Sequence, residues 1–555
     1  MRLRLTASTL VLGLAVTACS GEKSAGDGGG TVIAGMGNDP SSLFPFLAQE
    51  ETGFAVTDLV FEKLAAIGPS LSSVGDKEFS PRLAKSWDWS PDSLSITFHI
   101  DPAARFHDGT PVTANDVRYS FRIVKDTALG SPTTALVANI DSVSVSDSLT
   151  ATFWFKRRTV TQFFDAVYQV TPVPEHVYGK VPVAQLRMSE VTRNPVGTGR
   201  FRFARYEPGV RVELVADTAN FRGRPNLDRV IFMLAQAPTA ASQSVLAGQM
   251  DFYVAFPIDQ IDQLERSTVA RPIVYQQNGY AFALFNAFAR KSTTRPHPIL
   301  SDVNVRRAAS MAVDRASMLT NVFKTTGRLA YGPFPTGVPL SDSTIGPPAY
   351  DTTAAGKLLD DAGWKRGPDG VRTKNGRPLA IEILAPSTSL IRIRYAELME
   401  AQLNRAGFRV EVVKAGGAEF GARAGSRDYD ITILNVFTDP SVAGIQQFWS
   451  SSGIAAGSNF ALYRNRTVDA ALDSASWART PDAMRGHVSR AFRQIIADAP
   501  AIWLYSSGTT AAVHRRIETA PLPRNGWWNS LAEWSIPTDK RIDRDRVGLR
   551  PVANP

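Results

Sequence analysis

Hydrophobic and polar positions alternate most sharply in one stretch, where Leu94, Ile96, Phe98 and Ile100 are separated by Ser95, Thr97 and His99. That is the period of a strand with one buried face. Pro102 stops the pattern, and Asp108-Gly109 supplies a turn. The period then changes to helical, with Val117, Phe121 and Val124 behind Thr113 and with Asp116 at the capping-box position. A strand thus feeds a capped helix. The same signals predict further strands over 31–35, 141–145, 150–155, 211–215, 229–234, 279–286, 379–384, 408–413, 429–437 and 501–506. They predict helices over 56–65, 240–246 and 390–406, and an apolar helix face made by Val305, Ala308, Ala309, Ala312 and Val313 behind the cap Asp302. Strand, helix and strand follow one another from 379 to 413 with only Gly407 as the second connection, an order that argues for parallel pairing in an α/β lobe. Trp527, Trp528 and Trp534 are expected to pack beneath the strand at 501–506.

Length and address refine this picture. At 555 residues the chain exceeds a single core, which gives roughly three to four structural units. The formal charge of +9 is scattered, and no stacked-aromatic RNA motif accompanies it, so nucleic acid is not an expected partner. Arg2 and Arg4 precede an apolar run over 5–16 that is too short to span a bilayer. It closes on Val16-Thr17-Ala18-Cys19, which resembles a bacterial lipobox. In that pattern residues 1–18 are a signal peptide, and Cys19 becomes the first mature residue and carries a diacylglycerol. Each buried CH₂ of the acyl chains would hold the membrane with about 0.8 kcal/mol. The globular body then lies outside the cytoplasm, and Ser20 points to the outer membrane in a Gram-negative cell. Cys19 is the only cysteine, so no intramolecular disulfide can form. Residues 19–30 are glycine-rich and polar and read as a flexible tether.

Catalytic chemistry is sparse. The histidines are His99, His107, His176, His297, His487 and His514, and no two share helical i, i+4 spacing. HExxH, CxxC and GxSxG are absent, so no catalytic residue and no metal ligand is assigned. His107 reads as a hydrogen-bonded turn residue. Gly197 and Gly199 read as backbone positions that other residues could not follow without strain. A phosphate cradle around them lacks the closing lysine with serine or threonine.

The wording of several segments adds to this reading. FHDGTPVTANDV (106–117) resembles the signature of the family 5 extracellular solute-binding proteins, the peptide, nickel and oligosaccharide receptors of ABC importers. DPSSLFP (39–45), PRLAKSW (81–87), PVGTGRF (195–201), GQMD (248–251), DVNVRRAASMAVDR (302–315) and YDTTAAGKLLDDAGW (350–364) are similar to other motifs of that family. The resemblance covers nearly the whole mature chain. It implies an α/β fold, a two-lobed clamshell like the class II periplasmic binding proteins with an extra α/β subdomain inserted in the N-terminal lobe. The expected division is 31–55, 186–278 and 507–555 for lobe I, 56–185 for the inserted subdomain and 279–506 for lobe II. It implies a binding protein and no enzyme or cofactor. The ligand would be a peptide or other small solute, the partners an ABC permease and its ATPase subunits, the location the periplasm or cell surface, and the state a monomer.

Position in the matched segments gives the candidate cleft residues: Asn435 and Phe437, Trp449 and Asn459, Trp503 and Tyr505, Asp39 and Ser42, and Arg423 near where some relatives pair a ligand carboxylate. Peptide receptors of the family carry an aspartate four residues before a proline to neutralise the peptide's amino terminus. Alignment on Pro440 puts Val436 there, and Asp439 adjoins the proline instead. Free-amino-terminal dipeptides are therefore not the expected cargo, unless another carboxylate such as Asp39 takes the role. A metal-chelate, siderophore-like or oligosaccharide receptor, an extracytoplasmic hydrolase or transferase, and a sensor lipoprotein are the competing readings.

Overall fold

A computed structural model describes residues 29–546 apart from 236, 325 and 456. The signal peptide, Cys19 and most of the expected tether lie outside the described residues. The tether's last two positions are folded: Gly29 and Gly30 are buried, and their N–H groups donate to the Asn226 carbonyl (2.7 Å) and the Asp228 carboxylate (2.8 Å).

One mixed sheet of 11 strands runs through the molecule. Its order is Arg409–Ala415, Ala380–Pro386, Ile431–Phe437, Ala270–Phe285, Ala501–His514, Phe252–Tyr253, Thr31–Met36, Arg229–Leu234, Arg211–Ala216 and Phe201–Glu207, with Arg328–Leu329 added beside Ala501–His514. Ala380–Pro386 pairs in parallel with Arg409–Ala415, as the strand-helix-strand order predicts. Gly407 ends the intervening helix Leu390–Ala406 at φ 100°, a left-handed conformation that favours glycine.

Each half of the sheet is covered on both faces. In the first half Val32, Ala34, Val230 and Phe232 face one core, and Tyr253, Val245 and Met250 face a smaller one. In the second half Ala281, Ile431 and Ile433 face one core, while Phe282, Val436 and Trp503 face another. The four-stranded antiparallel sheet Ala84–Trp89, Ser95–Ile100, Thr150–Phe155 and Ile140–Asp147 carries the predicted strand-turn-helix unit. Asp116 accepts from both the N–H and the hydroxyl of Thr113 at the start of helix Ala114–Lys125. This inserted part shares one continuous core with the first half of the main sheet.

Three elements differ from the sequence reading. The helix expected at 56–65 is Glu51–Val60. It stops because the Val60 carbonyl accepts the Gly199 N–H (2.8 Å) and the Thr198 hydroxyl accepts the Glu62 N–H (3.0 Å). Gly197 and Gly199 are needed for a different reason from the expected one: neither has a positive φ, but an added Cβ would lie 2.0 Å from the Val60 or Leu59 carbonyl oxygen. Finally, Trp527 and Trp534 pack against Phe252 in the first half of the sheet, because the last strand continues to His514 before the chain turns back.

Segments near both ends of the described residues meet at one point. Buried Arg516 donates to Asp251 (3.0 Å), Asp545 (2.7 Å) and the Thr31 carbonyl (2.8 Å), and Asp545 also accepts the Thr31 N–H (2.8 Å).

Candidate functional site

Among the described residues two long strands run through both halves, Ala270–Phe285 and Ala501–His514, and their register slips where they cross. Gln276 faces Gly508 and the next pair is Tyr280 with Ser506, so three residues on one strand oppose one on the other. Such an irregularity bends a strand pair and leaves ladder groups free for other partners. Asn278 uses that freedom. Its N–H donates to Arg524 (2.9 Å), its side-chain Nδ2 donates to the Thr438 carbonyl (2.7 Å), and its carbonyl accepts the Thr438 N–H (3.2 Å). The Asn278 Oδ1 is buried and has no partner.

Beside this crossing lies a cluster of charged groups contributed by both halves. Helix Glu51–Val60 presents Glu51, exposed Phe54 and Asp58 along one stripe. Helix Gln162–Tyr168 presents Asp165 and Tyr168 while Phe163, Phe164 and Val167 anchor it. The second half contributes Asp439, whose Oδ2 accepts from Gln169 Nε2 across the groove (2.7 Å) and whose Oδ1 accepts the Ser441 N–H (2.9 Å). Lys63 donates to the Tyr168 carbonyl (2.6 Å), lies 4.0 Å from the Tyr168 ring centre, and feels the charges of Asp58 and Asp439. Trp528 Nε1 donates to Asp58 (2.9 Å) and Trp527 Nε1 to Glu51 (3.3 Å).

These side chains keep some solvent contact while protein surrounds them, the environment of a narrow groove. Burial pushes the carboxyls of Glu51, Asp58 and Asp439 above the ordinary range against the hydrogen bonds and Lys63 that oppose it. It pushes Asp165 up furthest, and the Asp439 charge adds to the effect. Burial lowers Lys63, opposed by Asp58 and Asp439.

Other contacts also join the two halves. Val160 N–H donates to the Ala478 carbonyl (3.1 Å), Arg157 lies 4.7 Å over the Trp477 ring, and Leu71 of the inserted part is buried in a core of the second half.

The structure separates the nine sequence candidates. Asn435 and Phe437 end the strand Ile431–Phe437 next to the crossing, opposite Ala281 and Gly279, and Phe437 is 54% exposed. Trp449 and Trp503 do not face the groove. Both are 1% exposed, Trp449 packs edge-to-face against Trp503 and Phe282, and its Nε1 donates to Tyr280 (2.7 Å). Tyr505 is buried against Phe323 and Tyr395. Asn459 spends its amide on Ser450, on the Tyr463 carbonyl and on the Tyr463 N–H. Asp39 is bound within the first half by the Tyr206 hydroxyl (2.8 Å) and Gly209 N–H (3.0 Å), and Ser42 caps Phe44 N–H. Arg423 is committed to Glu382 (2.6 Å) and the Asp428 carbonyl, at the end of the strand Ile431–Phe437 that points away from the crossing. Val436 is buried in a core, so no ligand charge can be matched there.

Asp165, Lys63 and Asp58 escaped the sequence reading. A signal for Asp165 exists, since QFFDAVY sets one acid in an otherwise apolar helical run. His107 is a structural link: its Nε2–H donates to the Gly199 carbonyl (2.9 Å) and its Nδ1 accepts the Gly197 N–H (3.2 Å). Burial lowers its pKa to about 4, so it stays neutral. Among the described residues no three His, Cys, Asp or Glu side chains are grouped to hold a metal ion, and no helix is long and apolar enough to cross a membrane.

Residues 78–456 match the model of the bacterial extracellular solute-binding proteins, family 5. The chain is 23% identical over 530 residues to the oligopeptide-binding protein AppA of Bacillus subtilis, covering 92% of this chain and 94% of that one. The solved structure of AppA in complex with a nonapeptide superposes with a TM-score of 0.78 at 21% identity, covering 92% and 99% of the two chains. NikZ from Campylobacter jejuni in complex with Ni(L-His) gives 0.78 at 22% identity, covering 91% and 99%.

Proposed function

Because the chain belongs to the family 5 bacterial extracellular solute-binding proteins, we propose that it captures a peptide-like or other small polar solute between its lobes and hands it to an ABC permease with its ATPase subunits. The family binds solutes without transforming them and works outside the cytoplasm. The observation that carries the reading is the groove itself: two halves joined by two strands, with facing polar groups from both halves beside the crossing. Closure about such a joint expels water and strengthens every polar contact inside.

AppA, a peptide binder, supports a peptide cargo, and Asn435 and Phe437 are the sequence candidates kept beside the groove. A chelated metal, as in NikZ, is the second reading, and the absence of histidine from the polar cluster disfavours it. The lobes are assigned as 31–55, 186–278 and 507–555, and 279–506, with 56–185 inserted. Cys19 carries a lipid anchor, the outer membrane holds it in a Gram-negative cell, and the protein acts as a monomer.

Native mass spectrometry of the protein purified from its own cell extract tests the reading. The expected result is one protein copy retaining an unmodified small solute that is released on unfolding. Conversion of any candidate solute into product overturns it.

A further inference from the structure

We propose a second ligand site in this chain, for a phosphate or phosphate-ester oxyanion, in a cavity of the second lobe walled by four basic side chains and a mid-helix glycine. The cavity measures about 440 Å³, within the range of small-molecule sites. Helix Thr352–Asp361, the end of helix Leu390–Ala406 and the start of the short strand Arg372–Lys374 form its walls. The Arg372 N–H donates to the Gly407 carbonyl (2.8 Å) and the Arg409 N–H to the Leu379 carbonyl (2.8 Å), which puts the cavity where strands Ala380–Pro386 and Arg409–Ala415 begin. Strand Ile431–Phe437 runs parallel to Ala380–Pro386 and reaches the crossing with its far end. The cavity is therefore at the end of the lobe away from the groove.

Its walls are positive. Lys357, Arg366, Arg372 and Arg405 line it, and Asp360 is the carboxylate among the lining residues. Asp360 is already engaged. Its Oδ1 accepts from Arg372 Nη1 (2.8 Å), and this hydrogen bond holds the carboxyl below its ordinary range, with the charges of Arg372, Lys365 and Arg366 adding to the effect. Lys357 pairs with Asp361 (2.6 Å). The Arg366 guanidinium donates to two neutral carbonyls, those of Gly370 (3.2 Å) and Arg405 (3.0 Å), and forms no ion pair among the described residues. The Arg405 side chain has neither a hydrogen bond nor an ion pair among them. Residues 357, 366, 372 and 405 are spread along the sequence and meet only in the fold.

Two further observations point to an anion. Arg372 is 5% exposed, and a buried cation is costly unless its donors are used. Its Nε donates to the Ala406 carbonyl (3.2 Å) and its Nη1 to Asp360 and the Trp364 carbonyl (2.7 Å), yet Nη2 has no hydrogen-bond partner among the described residues. The second observation is Gly356. It sits in the middle of helix Thr352–Asp361, where glycine is a poor helix former and no positive φ calls for it. A Cβ there would lie 3.4 Å from Arg372 Nη2, so glycine is what leaves the free nitrogen open to the cavity. Planar guanidinium forks match the paired oxygens of a phosphate and bind them bidentately.

The test titrates three probes into the purified full chain by calorimetry: inorganic phosphate, glycerol 3-phosphate, and a short-chain phosphatidylglycerol kept below its micelle concentration. Sodium chloride is adjusted to hold the ionic strength constant, so that screening does not change. Saturable binding of at least one probe, one per chain, is expected. Binding of phosphate or its glycerol ester identifies a free anion as the ligand, and binding of the lipid alone identifies a membrane headgroup. Arg405→Gln removes an exposed side chain without partners and is expected to weaken the affinity at least tenfold. Gly356→Leu is expected to do the same with an undiminished melting temperature, since leucine suits a helix better than glycine. Arg118→Gln removes the same charge from an exposed position on helix Ala114–Lys125 and is expected to bind as the wild type does. Absence of binding for all three probes, wild-type affinity in either cavity variant, or an equal loss in Arg118→Gln overturns the site. The receptor reading does not rest on it and stands in each case.

Discussion

At the scale of single residues, similar side chains carry different roles according to what their element packs against. Trp449 and Phe437 both looked available in the sequence, but one is sealed among Tyr280, Phe282 and Trp503 and the other stands in solvent. Trp449→Phe removes a hydrogen bond and part of a core ring, so unfolding free energy should fall by roughly 1–3 kcal/mol in denaturant titrations while solute affinity stays the same. Gly199→Ala forces a Cβ against a carbonyl oxygen at 2.0 Å, and a loss of about 3 kcal/mol is expected from the same measurement. Acidic groups pull stability in opposite directions with pH. Desolvation pushes Asp430 up, but the Arg290 fork, His297 and the Glu382 N–H outweigh it and hold the carboxyl below its usual range. Its contribution is present above the unfolded value and is lost as pH falls through the folded one. Asp165 is raised, so its protonated form favours the folded state, and that contribution disappears as pH rises from about 4, the unfolded carboxylate value, through the folded one. The melting temperature of ligand-free wild type should therefore drop relative to Asp165→Asn as pH climbs above about 4. A gap that stays flat with pH would contradict the raised Asp165. Residue types were legible in the sequence. Which side of the sheet each one faced was legible only where the alternation was strict.

At the scale of elements, period and caps were the readable part. The strand Arg229–Leu234 and the helix Leu390–Ala406 have the bounds that their patterns predicted, because each is bracketed by strong signals: a capping Ser389 and the left-handed Gly407 in the case of the helix. The crossing strands were read too short. Gln276, Gln277 and Asn278 interrupt the apolar pattern of one, and Ser506 to Thr510 that of the other. The same interruption predicts local mobility. Amides at 276–280 should exchange with deuterium faster than those at 281–285, and ligand should slow the first group selectively. Equal rates in both groups would argue that the joint is as rigid as the lobe.

At the scale of the molecule, the pairing of the two halves through one sheet was not readable from local patterns, since it depends on contacts between residues hundreds of positions apart, such as Phe252 with Val513. The polar cluster was illegible for the same reason: Asp58, Asp165 and Asp439 come from three distant segments and share no spacing. If the lobes close on cargo, small-angle scattering should show a smaller radius of gyration when the protein is saturated with its solute than after it has been stripped. An unchanged radius would mean a groove already shut.

The ionic knot at Arg516 also fixes how the molecule bears load. Arg516 and Asp545 grip Thr31 at the start of a strand that lies between two parallel neighbours. Tension on the chain ahead of residue 29 runs along that strand, so its ladder resists in shear, all bonds at once, and does not unzip bond by bond. The strain ends in the first lobe, and the two crossing strands are left free of it.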